Sequence, residues 1–158
     1  MENSNTNWCQ SVTGVVIKDN KVLLTRHTYG PGKGLYIVPG GYVEFGEMPQ
    51  EAVKREIFEE TKIVAEPKNI IGIRFNEKDW YVAFSAEYVS GEATSDGDEN
   101  DVVVWMDISE ALEREDVPML TKQLIRCALK ADEGFGQLPY VSRTRPGFLY
   151  GVDILNEE

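Results

Sequence analysis

The chain reads as an α/β fold in a single domain, on three observations. Short β-branched, apolar segments recur between Gly-, Asn- and Pro-containing turns, the pattern of strands. Between them lies an amphipathic stretch after Pro49 whose apolar residues Val53 and Ile57 are four apart, the spacing of a helix that packs on a core. A length of 158 residues with 42% hydrophobic content suits one globular unit, here divided into a core over 12–130 and a C-terminal extension over 131–158.

The first residues, MENSNTNWCQ, lack the apolar centre of a signal peptide, and no apolar run in the chain reaches membrane-spanning length. Two cysteines, Cys9 and Cys127, are too few for a disulfide framework and are read as thiols, which makes a reducing cytoplasm the expected location. A formal net charge of −11 argues against non-specific nucleic-acid binding and against an anionic membrane surface, because both need a basic face. It leaves room for a phosphorylated small molecule held through a metal ion.

Val12 to Lys18 and Val22 to Arg26 flank Asp19-Asn20 and predict a β-hairpin. His27 follows the second strand and is assigned no role. Three glycines and a proline make Tyr29 to Gly34 a loop; Leu35 to Val38 returns to strand, and Pro39-Gly40-Gly41 breaks it. Met48-Pro49 then opens a helix, since proline suits its first turn. Glu56, Glu59 and Glu60 fall within one arc of that helix, because residues three and four apart are surface neighbours. Crowded carboxylates repel and raise each other's pKa unless a cation joins them. Oxygen donors without Cys or His favour Mg²⁺ or Mn²⁺ over Zn²⁺. A solvated acidic helix face is the other reading of the three glutamates alone, but it requires neither the glycine-rich entry nor Arg55.

The stretch GYVEFGEMPQEAVKREIFEETKI, Gly41 to Ile63, resembles the Nudix box, G-x5-E-x7-R-E-U-x-E-E-x-G-U with U apolar. Gly41, Glu47, Arg55, Glu56, Ile57, Glu59, Glu60 and Ile63 match at the required spacing. Lys62 stands where the family has glycine, at a helix end where a left-handed conformation is expected. The resemblance covers roughly residues 12–113. It implies a Nudix-type α/β/α sandwich with a central mixed β-sheet, and a Mg²⁺- or Mn²⁺-dependent hydrolase. The bond cleaved would be a pyrophosphate in a nucleoside diphosphate linked to another moiety: a nucleotide sugar, a dinucleotide or a nucleoside triphosphate. It also implies that Glu56, Glu60 and the Gly40 carbonyl bind metal, that Glu59 is a further ligand or the base, and that Arg55 fixes a glutamate's rotamer. A nucleotide-binding or regulatory module with this fold and no turnover is the alternative; loss of box carboxylates would mark it, and this chain keeps them.

Ile70 to Phe75 and Trp80 to Val89, separated by the Asn76 to Asp79 loop, predict a second hairpin. Arg26, Phe75, Trp80 and Tyr81 are candidate substrate contacts, although strand aromatics are more often core or cross-strand pairs. The polar run Ser90 to Asp101 precedes the strand Val102 to Trp105. Within the family an acidic residue shortly before such a strand often completes the metal site or serves as general base, and Glu99 is the best positional match, with Asp98 and Asp101 as competitors. Helices are expected over Ile108 to Glu113 and over Pro118 to Lys130. The second of these carries Leu120, Leu124, Cys127 and Ala128 on one face and covers the sheet opposite the glutamate helix. Arg143 and Arg145 in the extension belong either to a surface segment or to a lid or dimer arm. The family includes dimers, so a homodimer is an open expectation alongside a small-molecule nucleotide substrate. The substrate stays open too: the proline that marks many ADP-ribose pyrophosphatases is absent near Lys78, and the coenzyme A signature before the box is not evident. Tyr81 stands where diadenosine-polyphosphate hydrolases tend to carry a tyrosine.

Overall fold

The structure, a computed structural model, describes residues 9–152. The leader reading of MENSNTNWCQ therefore lies almost wholly outside the described residues, as does the end of the C-terminal extension.

β1 (Cys9–Lys18) and β2 (Lys21–His27) form the expected hairpin, with Ile17 opposite Val22. Asp19 and Asn20 both take left-handed conformations, φ 51° and 61°. That pair of positive φ values gives a turn whose twist matches the flanking strands. β1 remains beside β2 only near this turn. Ser11 to Thr13 pair instead with β4 (Gly40–Tyr42), while the other edge of β1 runs parallel to β6 (Asp79–Ser90).

β2 pairs along its length with β7 (Asn100–Asp107) and at its end with the two-residue β3 (Tyr36–Ile37). β5 (Val64–Phe75) pairs antiparallel with β6 at the sheet edge. One parallel pair among antiparallel ones makes the seven-stranded sheet mixed, as the family resemblance implies.

Two boundaries differ from the expectation. The strand expected over Leu35 to Val38 is only Tyr36–Ile37, and after Val38 and Pro39 the residues Gly40 and Gly41 start another strand, because a residue without Cβ lets the backbone come hard against the Val12 carbonyl. β5 begins six residues before Ile70 and passes through Pro67; its register shifts between Pro67 and Ile70, and an edge strand with a bulge tolerates the missing N–H.

Alternation along the central strands divides the core in two. Val12, Val16 and Leu23 pack with Ala52, Val53 and Ile57 of α1 (Pro49–Thr61) on one face. Val15, Val22 and Leu24 pack on the other, with Ala111 of α2 (Ile108–Glu113) and Leu124 and Ile125 of α3 (Met119–Ala128). Helices thus cover both faces of the sheet, and α3 lies opposite α1 as anticipated. Its buried stripe is displaced from the expected one: Thr121 and Ile125 are buried with Leu124, while Cys127 is only half-buried.

At the start of α1, Glu51 accepts a hydrogen bond from the Met48 N–H at 3.0 Å. At its end Lys62 keeps the left-handed geometry of the glycine it replaces, φ 63°, with its N–H donating to the Phe58 carbonyl at 2.9 Å. Beyond α3, β8 (Gly136–Leu138) and β9 (Leu149–Gly151) form an antiparallel ribbon held to β5 by an Ile70–Phe135 bridge and by Tyr150 against Phe84. Arg143 and Arg145 are exposed between these two strands. Among the described residues no helix is long and apolar enough to cross a membrane.

Candidate functional site

A cavity of about 620 Å³ opens where α1, β4 and the loop before β7 meet. The helix supplies Glu56, Glu59 and Glu60; the loop supplies Asp96, Asp98 and Glu99; Glu44 stands at the wall as a seventh carboxylate. Among the described residues Arg55 is the one basic side chain lining it. The fold explains the convergence: β7 lies beside β2, so the chain segment entering β7 arrives next to the carboxylate face of α1.

Arg55 is the hub of the cluster. Its Nε and Nη2 donate to the two oxygens of Glu47 at 2.7 and 2.9 Å, a bidentate grip. Its Nη1 donates to Glu56 at 2.9 Å and to Glu59 at 3.2 Å, and Nη2 also reaches the Tyr42 carbonyl at 3.1 Å. The guanidinium holds the Glu47 carboxyl below its usual range. Burial pushes Glu56 up, with Arg55 opposing.

Glu60 is the buried member, 3% exposed. Its Oε1 accepts a weak hydrogen bond from the Gly40 N–H at 3.4 Å, and its Oε2 is buried with no partner. Burial, reinforced by the charge of Glu56, raises its pKa to about 9. A buried carboxylate oxygen without a donor is costly, and a hard cation is the group that would relieve it. Glycine at position 41 belongs to the same construction, because any Cβ there would collide with the Glu56 carboxyl.

The three helix glutamates do not meet at one point. Glu59 is largely exposed and turned to Arg55, whereas Glu60 points beneath it into the fold. Among the described residues no three His, Cys, Asp or Glu side chains are gathered as a ready-made metal cage. The donor set still fits Mg²⁺ or Mn²⁺, since such ions are usually held by one or two carboxylates with substrate phosphates and water completing the shell.

Of the predicted site residues, Gly40, Arg55, Glu56, Glu59, Glu60 and Glu99 all line this cavity. Asp98 lines it as well; Asp101 does not, being paired with Arg26 through two bonds of 2.9 and 2.8 Å outside it. Tyr81 lines a neighbouring cavity of about 200 Å³ that shares Gly40, Gly41 and Tyr42 with the first. Phe75 and Trp80 pack edge to face at 5.0 Å and line neither cavity. Sequence reasoning missed Asp96, Tyr29 and Tyr42. Asp96 carried a signal, since an Asp followed by Gly in a polar loop favours an Asx turn, and its Oδ1 accepts the N–H groups of Asp98 and Asn100.

A family model described as the NUDIX domain matches residues 9–126. An ADP-ribose pyrophosphatase of Methanocaldococcus jannaschii is 46% identical over 63 residues, covering 40% of this chain and 37% of that protein. A NAD-capped RNA hydrolase NudC of Haemophilus influenzae is 34% identical over 113 residues, covering 66% of this chain and 41% of that protein. The chain spans about two fifths of the length of these curated relatives. Among solved structures, a NUDIX hydrolase of Nitrosomonas europaea shares the fold at a TM-score of 0.69 and 24% identity, covering 78% of this chain and 89% of that one. The NUDIX domain of Shewanella oneidensis NrtR, solved with ADP-ribose, gives a TM-score of 0.69 at 21% identity, covering 79% and 88%. With the box residues gathered around Arg55 and the match running from β1 through most of α3, this chain belongs to the NUDIX domain family.

Proposed function

We propose that the chain hydrolyses a pyrophosphate bond in a nucleoside diphosphate linked to a second moiety, with Mg²⁺ or Mn²⁺ as cofactor. The observation that carries this reading is the buried, unpartnered Glu60 Oε2 in a wall of seven carboxylates. Nucleotide sugars and dinucleotides are the first substrates to test, since the relatives named above act on ADP-ribose and on NAD-capped RNA.

Glu56, Glu60 and the Gly40 carbonyl are the residues we assign to the metal. When bound, it would neutralise non-bridging phosphate oxygens and lower the pKa of a water molecule. Arg55 keeps Glu56 and Glu59 in place and is itself held by Glu47. Glu59 is exposed and outside the buried pair, so it can serve as a further ligand or accept a proton. Glu99, also exposed at the cavity wall, is the other candidate base. The products would be a nucleoside monophosphate and the phosphorylated second moiety. The free thiols of Cys9 and Cys127 suit a reducing compartment, and we place the activity in the cytoplasm.

The test is a turnover screen over ADP-ribose, nucleotide sugars, dinucleotides and nucleoside triphosphates with each metal, run beside Mn²⁺ binding followed by electron paramagnetic resonance. Metal-dependent release of a nucleoside monophosphate is expected. A folded protein that binds no Mn²⁺ and turns over none of these compounds refutes the proposal. Separate Glu59→Gln and Glu99→Gln variants then identify the base as the one whose loss removes the acidic limb of the kcat profile.

A further inference from the structure

We infer that Asn100 is a positioning residue that locks the acidic loop of residues 96–99 to the buried-carboxylate end of α1. The inference rests on the metal-dependent reading above and asks how two segments forty residues apart are kept in one site.

Asn100 is 1% exposed and stands where the loop becomes β7. Its side-chain Nδ2 donates to the backbone carbonyl of Glu60 at 2.8 Å. Its own N–H donates to Asp96 Oδ1 at 3.1 Å, and its carbonyl accepts from Ser95 Oγ at 2.9 Å. One residue therefore binds both the turn that shapes the loop and the helix residue with the buried carboxylate. From the other side Thr28 grips the same loop, its N–H donating to the Glu99 carbonyl at 3.1 Å and its hydroxyl to the Asp98 carbonyl at 2.7 Å.

A merely structural asparagine would be expected to satisfy both ends of its amide. Here Oδ1 is buried without a partner. An apolar side chain would avoid that desolvation penalty, so the Nδ2 bond to Glu60 is the contact that accounts for an amide at this position. The Thr94 N–H to Thr61 carbonyl bond, at 2.9 Å, is a second tie between the same segments. It joins the chain two residues before Asp96, outside the 96–99 segment that Asn100 and Thr28 hold.

Asn100→Asp preserves size and backbone contacts but replaces the donor with a carboxylate facing the Glu60 carbonyl; Asn100→Ala removes the amide. Both are compared with the unaltered chain by Mn²⁺ titration with electron paramagnetic resonance detection, by hydrogen exchange of residues 95–99 and by circular dichroism. The expected result is a folded protein whose Mn²⁺ affinity falls about tenfold or more, the range for loss of a residue that orients ligands. Faster exchange confined to 95–99, and a lower kcat with KM for the nucleotide nearly unchanged, should accompany it. Folded variants with unaltered Mn²⁺ affinity and exchange overturn the inference. If neither variant folds, Ser95→Ala decides, since it removes the hydroxyl bond to the Asn100 carbonyl together with the Gly97 N–H bond to the same hydroxyl oxygen: weaker Mn²⁺ binding supports the role and unchanged binding overturns it. Failure of the unaltered chain to bind Mn²⁺ would instead refute the metal-dependent reading.

Discussion

The guanidinium of Arg55 and the carboxylate of Glu47 face each other eight residues apart in two parallel hydrogen bonds of 2.7 and 2.9 Å. This grip fixes the arginine's plane and leaves Nη1 to hold Glu56 and Glu59. A lysine has one ammonium and no fork, so it cannot make both sets of contacts. Arg55→Lys should lower kcat by about 10- to 100-fold, the scale of losing a residue that orients ligands, while the thermal midpoint changes little. Steady-state kinetics with Mg²⁺ and a melting curve check this, and an unchanged kcat would show that charge alone suffices.

Glu60→Gln removes the group that can become a negatively charged ligand but retains an acceptor for the Gly40 N–H. The metal-free fold should therefore persist, since an amide has no buried charge to relieve. Mn²⁺ affinity and turnover should each fall by about a hundredfold. A variant that binds Mn²⁺ like the parent would place the metal elsewhere in the cavity.

His27 supplies a pH prediction with a defined sign. Burial lowers its pKa from the usual value, against the opposing pull of Glu99 and Asp96, and its ring stacks on Tyr29 at 5.7 Å. The unfolded chain takes up the imidazole proton first as pH falls, so this residue costs stability below about pH 6.5 and nothing above it. As His27 is the single histidine, its imidazole resonances in a proton NMR titration report it alone. The expected midpoint lies below 6.5, and replacing it with Gln should flatten the loss of stability between about pH 6.5 and 5. A midpoint above 6.5 would mean that the acidic loop dominates over burial.

Lys62 holds a left-handed conformation, φ 63°, at the end of α1. An L side chain pays about 1–2 kcal/mol there, and glycine returns part of that saving as unfolded-chain entropy. Lys62→Gly should raise stability by about 0.5–1 kcal/mol, read as a higher denaturant midpoint at constant slope. A lower midpoint would show that the Nζ contacts with the Phe58 ring and the Glu59 carbonyl outweigh the backbone term.

Local chemistry made much of this protein legible in its sequence. The Asp19-Asn20 turn, Pro49 at the helix entry, the Val53–Ile57 stripe and the spacing of Arg55, Glu56, Glu59 and Glu60 are short-range patterns, and each appears in the fold where the pattern put it. What lay beyond reach involves residues far apart in the chain. Spacing on a helix placed three glutamates in one arc, but only packing against β1 and β4 decides that Glu60 is buried while Glu59 stays in solvent. The resemblance pointed to one acidic residue in the polar run before β7, but only the pairing of β7 with β2 brings Asp96, Asp98 and Glu99 together at α1 and Asn100 to the Glu60 carbonyl. Arg26 was a candidate substrate contact, and the register of the same strand pairing sets it against Asp101. The sequence by itself determined most of the carboxylates and the arginine that line the candidate site and the helix on which most of them ride. Tertiary structure decided which carboxylates are stripped of water and which distant loop completes the cavity, because desolvation and long-range strand pairing depend on the folded surroundings and leave no short-range periodicity to read.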